Sequence, residues 1–210
     1  MKTTILRRWR ACALALVAAA LAACANQEPR RTLVTLPTLA PPTVAPPAAG
    51  AADGDLASRW LAVRRVGLPE YLQARRVRYR ADATTIAEWP HAFWAERLEV
   101  AASREFTAAL AAALPGWRVC EGGCAARAPD AVLLVELSPL DFRGAQSRLE
   151  GTARMTVTSG DTARVLLAWQ EALQIAAPRS GPQGQAEALG QALQHLAATA
   201  ARRVSSLPRN

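Results

Sequence analysis

The tetrapeptide Leu21-Ala22-Ala23-Cys24 carries the most specific chemistry in this sequence. Small residues ahead of a cysteine suit a processing site. The thiol can then be diacylated, and the amino group freed by cleavage can take a third chain. Two or three acyl chains anchor a protein stably where one gives only marginal membrane binding. The preceding residues fit that chemistry. Lys2, Arg7, Arg8 and Arg10 form a basic start, and residues 11–24 are an apolar run shorter than the roughly 20 residues that span a bilayer. Residues 1–23 therefore read as a lipoprotein signal peptide, with Cys24 as the lipidated first residue of the mature chain.

Other reactive side chains are few. Cys120 and Cys124 flank Glu121-Gly122-Gly123 in a domain read as exported, where a disulfide is the default for a nearby pair. Two free thiols are the alternative, and the C-x-x-C spacing of a thioredoxin-like site is absent. The two histidines, His91 and His195, do not make a zinc set, which needs three or four ligands. No Gly-x-Ser-x-Gly elbow, HExxH, phosphate loop or GxGxxG is present. The chain reads as a non-enzyme that needs no cofactor or metal.

Electrostatics and aromatics offer more. The net charge is +8, but Lys2, Arg7, Arg8 and Arg10 supply four of those charges and leave with the signal peptide. Export also removes nucleic acid as a ligand. What stands out is Arg75, Arg76, Arg78 and Arg80. This cluster is either a solvated strand face or a contact for anionic lipid or an acidic protein. Trp89, Phe93 and Trp94 crowd one short stretch, Trp89-Pro90-His91-Ala92-Phe93-Trp94. Trp94 reads as the start of a helical core stripe, while Trp89 and Phe93 are open to packing or to an interface.

The elements that must position these residues follow from periodicity. Residues 24–55 read as a tether with six prolines after Cys24, reaching roughly 90 Å if extended like polyproline. The folded domain is then 56–210. Strands are expected over 59–66, 75–80, 85–88, 117–120 and 131–142, the last broken at Pro139. In 148–157, Leu149, Gly151, Ala153, Met155 and Val157 alternate with polar residues, and 163–175 follows with the same habit. Two helices carry apolar stripes, one from Trp94 to Leu114 and one after Ser180-Gly181-Pro182. One apolar face on each element predicts an α+β fold, a two-layer domain with an antiparallel sheet and both helices on one face.

With these elements placed, Leu68-Pro69-Glu70-Tyr71-Leu72 and Ile86-Ala87-Glu88-Trp89-Pro90-His91-Ala92-Phe93-Trp94-Ala95-Glu96-Arg97-Leu98 resemble the PqiC/YmbA family of ABC-type transport auxiliary lipoproteins. The family's Pro-Tyr-Leu motif falls on Pro69, Tyr71 and Leu72 with Glu70 inserted, and its Trp-Ala-Glu motif on Trp94, Ala95 and Glu96. The resemblance implies an accessory subunit of an intermembrane lipid transport system. Its implied partners are an MCE-domain periplasmic channel protein, an inner-membrane transport component and outer-membrane lipids, with homo-oligomers among relatives. Tyr71, Arg75, Arg76, Arg78, Arg80, Trp89 and Phe93 are the expected partner or lipid contacts. Ala25, where lipoprotein sorting resembles a rule that reserves Asp for inner-membrane retention, favours the outer membrane and its periplasmic face. The rival readings are an assembly lipoprotein of another envelope complex and a periplasmic lipid carrier.

Overall fold

The long strand β6 (Ala131–Arg143) organises the sheet because its Ala131, Leu133, Val135 and Leu137 are all fully buried on one face. These observations come from a computed structural model that describes residues 30–38, 59–125 and 127–208. The expected signal peptide, Cys24 and most of the 24–55 segment lie outside the described residues.

One edge of β6 pairs antiparallel with β7 (Arg148–Ser159), which in turn pairs antiparallel with β8 (Val165–Ala176). Short reversals at 144–147 and 160–164 make this meander, as the alternating pattern predicts. The other edge of β6 is shared. Beside its first half lies β2 (Arg59–Val63), with β5 (Trp117–Glu121) beyond it, both parallel to their neighbours. Its last residue meets β3 (Arg76–Arg80) through the pair Arg80 and Arg143. Beyond β3 come β4 (Ile86–Trp94), antiparallel to it, and β1 (Thr32–Val34), parallel to β4.

The α+β class stands as expected, but the sheet is mixed rather than wholly antiparallel. The parallel pairs join strands far apart in sequence, and parallel neighbours need long crossovers. Helix α1 (Leu98–Ala113) lies in the stretch that carries the chain from β4 back to β5. Local alternation reports the reversals and is blind to these long-range pairings.

A second difference concerns the tether. Thr32-Leu33-Val34-Thr35-Leu36 belongs to the domain: Val34 and Leu36 are buried, and Ala95 N–H donates to the Val34 carbonyl at 2.9 Å. The hydrophobic gain of burying two such side chains is about 1.5–3 kcal/mol each, enough to draw in a β-prone run despite its proline-rich surroundings. The segment expected to be tether over 24–55 is therefore interrupted at Thr32, where the chain joins the sheet.

Both helices cover one face of the sheet. Along α1, Leu98, Ala101, Ala102, Phe106 and Leu110 are buried; Leu114-Pro115-Gly116 ends it, and Gly116 exits at φ +82°, a conformation glycine adopts without penalty. Helix α2 (Gly181–Ser205) starts after Ser180 with Pro182 in its first turn, and Arg202 and Arg203 in its last turn complement the helix dipole. It buries Leu189, Leu193, Leu196, Ala200 and Val204. α1 packs on α2 and β5, and α2 also packs on β7 and β8.

Trp94 is not the first residue of a helical stripe. It closes β4 and is buried there, and α1 begins four residues later. The cause is a bulge: Arg76 pairs with Phe93 and Arg78 with Glu88, so the single residue Val77 faces residues 89–92. Pro90, which lacks an N–H, and His91, at φ +55°, occupy that bulge.

Candidate functional site

The bulge in β4 decides what each aromatic in the stretch does. Trp89 points to the helix side, where its ring stacks on Tyr79 at 4.2 Å between centroids and its Nε1–H donates to Gln185 Oε1 at 2.9 Å. Gln185 Nε2–H in turn donates to the Arg78 carbonyl at 2.7 Å, so α2 is tied to both β3 and β4. Without the bulge, strict alternation would put Phe93 on the same side as Trp89. With it, Trp94 turns into the core and Phe93 turns outward beside Leu33, its registered partner on β1.

Strand β3 splits in the same way. Val77 is fully buried, and Tyr79 packs towards Trp89. Arg76, Arg78 and Arg80 share the other parity, as the alternation predicts, but they are not a uniformly wet row. Arg76 and Arg78 both reach Glu88, at 3.3 and 3.1 Å. Arg76 also lies over the Phe93 ring at 5.0 Å. Arg78 Nη1–H donates to the Tyr71 carbonyl at 3.4 Å. Arg75, just before the strand, is exposed, and its carbonyl accepts the Trp94 N–H at 2.8 Å.

Arg80 does something different. It ion-pairs with Asp141 on β6 at 3.0 Å, and both side chains are largely shielded. Tyr71 completes the group. Pro69 sets the entry to a short 3-10 turn, Glu70–Leu72, whose Leu72 is buried; the turn presents the Tyr71 hydroxyl 2.7 Å from Asp141 Oδ1 and 2.8 Å from the Leu140 carbonyl. The hydroxyl has one proton to share between those two acceptors. Burial first, then the hydrogen bond to Asp141, pushes the Tyr71 hydroxyl well above its ordinary value. The same carboxylate raises Arg80. Pro69, Tyr71 and Leu72 thus fasten the segment between β2 and β3 to the bulged end of β6. In this arrangement Tyr71 and Arg80 are turned inward to a structural network.

Trp94, Ala95 and Glu96 form the junction between β4 and α1. Glu96 holds Arg104 through two hydrogen bonds of 2.7 and 2.8 Å, and this guanidinium keeps its carboxyl below the ordinary range. Cys120 and Cys124 are joined by a disulfide with Cα atoms 5.5 Å apart, closing the turn after the edge strand β5. His91 sits exposed in the bulge, and His195 pairs with Glu171. Among the described residues no group of three or more His, Cys, Asp or Glu side chains could hold a metal ion, and no helix is long and apolar enough to cross a membrane.

The expected contact residues therefore divide. Trp89, Tyr71 and Arg80 serve the interior, Arg78 is engaged by Glu88 and Tyr71, and Arg75, Arg76 and Phe93 share the outer surface at the β1–β4–β3 edge. Leu33, which sequence reasoning placed in the tether, joins that surface and is 61% exposed. The signal that could have found it is the alternation of Thr32, Val34 and Leu36 with Leu33 and Thr35.

The β1–β4–β3 edge thus sets cations beside the apolar side chains of Leu33 and Phe93. The chain belongs to the family of ABC-type transport auxiliary lipoprotein components, whose match covers residues 35–201. Members are transport accessories, non-enzymatic in kind, and as lipoproteins are membrane-anchored in the cell envelope. The crystal structure of an uncharacterized protein resembles this chain with a TM-score of 0.61 at 20% identity, over 70% of this chain and 92% of that one. Protein XCC0632 from Xanthomonas campestris gives 0.55 at 16% identity, over 85% of this chain and 98% of its own. At these identities the likeness is one of fold. Among curated proteins none matches this chain.

Proposed function

We propose that this chain is a non-enzymatic outer-membrane lipoprotein subunit of an MCE/PqiAB-type intermembrane lipid transport system, docking or stabilising the periplasmic channel at the outer membrane. The observation that carries the reading is the family match over nearly the whole described domain, to a component that is both an auxiliary of ABC-type transport and a lipoprotein. The Leu21-Ala22-Ala23-Cys24 site supports acylation at Cys24, and Ala25 supports delivery to the outer membrane. The domain's part is mechanical. Lipid fixes it to one membrane, the mixed sheet gives a rigid platform, and energy for transport comes from the partner.

The test is to crosslink the natively lipidated protein in its own membranes, purify it in mild detergent, and identify partners and mass by mass spectrometry. An MCE-domain protein recovered with a multimer of this chain is the expected result. A different envelope assembly complex in its place, or a monomer carrying stoichiometric phospholipid without an MCE protein, overturns the reading.

A further inference from the structure

We infer that the β1–β4–β3 edge is a membrane-contact surface that seats the domain on anionic lipid headgroups. This rests on the acylation of Cys24 proposed above and adds to it an orientation. The first ground is chain length. Seven residues lie between Cys24 and Thr32, making eight steps along the chain, so whatever path they take, the start of β1 lies no more than about 29 Å from the anchored cysteine, at up to 3.6 Å per step. Strand β1 is held to β4 in parallel register, and therefore the edge it occupies is the part of the domain tied nearest to the bilayer.

The second ground is what that edge presents. Leu33 is the most exposed of the large apolar side chains described, and its registered neighbour Phe93 is turned outward by the bulge. Arg76 lies over Phe93, Arg75 is exposed at the start of β3, and Arg78 follows on the same face as Arg76. Glu88 is the acidic group facing them, and it engages both Arg76 and Arg78, leaving the three arginines in excess of one carboxylate. Arg30 and Arg31, exposed and immediately ahead of β1 in the chain, add to the same sign. Cations flanking two apolar side chains match a surface where phosphates sit above acyl chains. Each cation near such a surface gains by attraction that falls off within a Debye length. A single acyl-anchored strand with this pattern combines the two signals that together give stable, oriented attachment.

The experiment places a spin label at Leu33→Cys and, separately, at Ala108→Cys on the exposed side of α1, in the full lipidated protein reconstituted into phosphatidylethanolamine vesicles containing phosphatidylglycerol. Both positions are exposed, so neither label disturbs the core. Relaxation by a water-soluble nickel chelate and by oxygen reports depth. The label at 33 is expected to be shielded from the chelate several-fold relative to 108, and to return to water in neutral phosphatidylcholine vesicles or in the Arg75→Glu/Arg76→Glu protein. Mass spectrometry of the same sample reads acylation of Cys24. Acylated protein with the label at 33 as wet as that at 108 overturns the surface and leaves the anchor standing; an unacylated Cys24 removes the anchor and the orientation with it. A label that is wet in vesicles but shielded in native membranes assigns the edge to a protein partner and also overturns the lipid assignment.

Discussion

Replacing Tyr71 by Phe removes one oxygen and leaves the ring, so it isolates what the Pro69-Tyr71-Leu72 turn contributes through its hydroxyl. That hydroxyl is 2.7 Å from Asp141 Oδ1 and 2.8 Å from the Leu140 carbonyl. A hydrogen bond to a charged group contributes roughly 1.5–3 kcal/mol. Tyr71 is half-buried, and Asp141 keeps Arg80 at 3.0 Å, so its charge is not stranded by the change. The lower end applies, about 1.5 kcal/mol. At about 2–4 °C per kcal/mol for a domain of this size, Tm should fall by about 3–6 °C, with the urea m-value unchanged. The pH dependence adds a second reading. A hydroxyl whose folded value is raised keeps its proton after the unfolded chain has lost it. Its contribution is therefore fully present below the ordinary value of 10.0 and declines as pH rises beyond it. The stability gap between wild type and Tyr71→Phe should thus be constant near neutrality and shrink in alkali. Thermal unfolding followed by circular dichroism from pH 7 to 11 measures both. A Tyr71→Phe protein as stable as wild type at pH 7, with a parallel alkaline profile, refutes the argument that this turn is fastened by its hydroxyl.

Glu96→Gln should lose about 0.5 kcal/mol at neutral pH, because the pair with Arg104 is bidentate but partly exposed. The carboxyl is held below its ordinary 4.5, so this contribution is present above that value and lost as pH falls. Unfolding curves of the two proteins should converge in acid, and a gap that persists there would mean the side chain acts through packing. Gly151→Val tests the β6 bulge: a Cβ at 151 would stand 2.6 Å from the Pro139 carbonyl oxygen and 3.0 Å from Leu140 Cδ1. Overpacking of that kind costs about 1–3 kcal/mol. Urea titration should show the loss for Gly151→Val and little for Thr152→Val, whose side chain is on the other face.

The elements that sequence reasoning placed well are those whose period is set by one uninterrupted face. Leu149, Ala153, Met155 and Val157 are all buried in β7, and the stripe of α2 from Leu189 to Val204 lies inward. Errors arose where an irregularity resets the period or the partner is distant. The bulge at Pro90 and His91 exchanges the facing of Phe93 and Trp94, and nothing in local hydrophobicity announces it. Trp89 looks like an interface aromatic until Gln185, on the last helix, accepts its N–H. Arg80 looks solvated until Asp141 is brought beside it by β6. In each case the deciding group is remote in the chain, and single-residue propensity carries no information about it.

The strand at Thr32–Val34 changes the mechanics expected of the proline-rich region. Sequence alone assigns its whole length to reach, about 90 Å for thirty extended residues. But Thr38 and Arg59 both belong to chain that joins the same sheet, through β1 on one side and β2 on the other. The twenty residues between them begin and end on the domain, so their length cannot add to the separation between domain and anchor. With Cys24 acylated as proposed, only the seven residues 25–31 set that separation. In the proposed arrangement, a domain on so short a lead does not travel far from its membrane, and the partner's end comes to it. A docking role at the outer membrane is compatible with that geometry because the proposed channel supplies the span. The pairing of Ala95 N–H with the Val34 carbonyl and the burial of Val34 and Leu36 then gain a second meaning. They hold in place the edge through which a pull from the proposed anchor at Cys24 would enter the sheet.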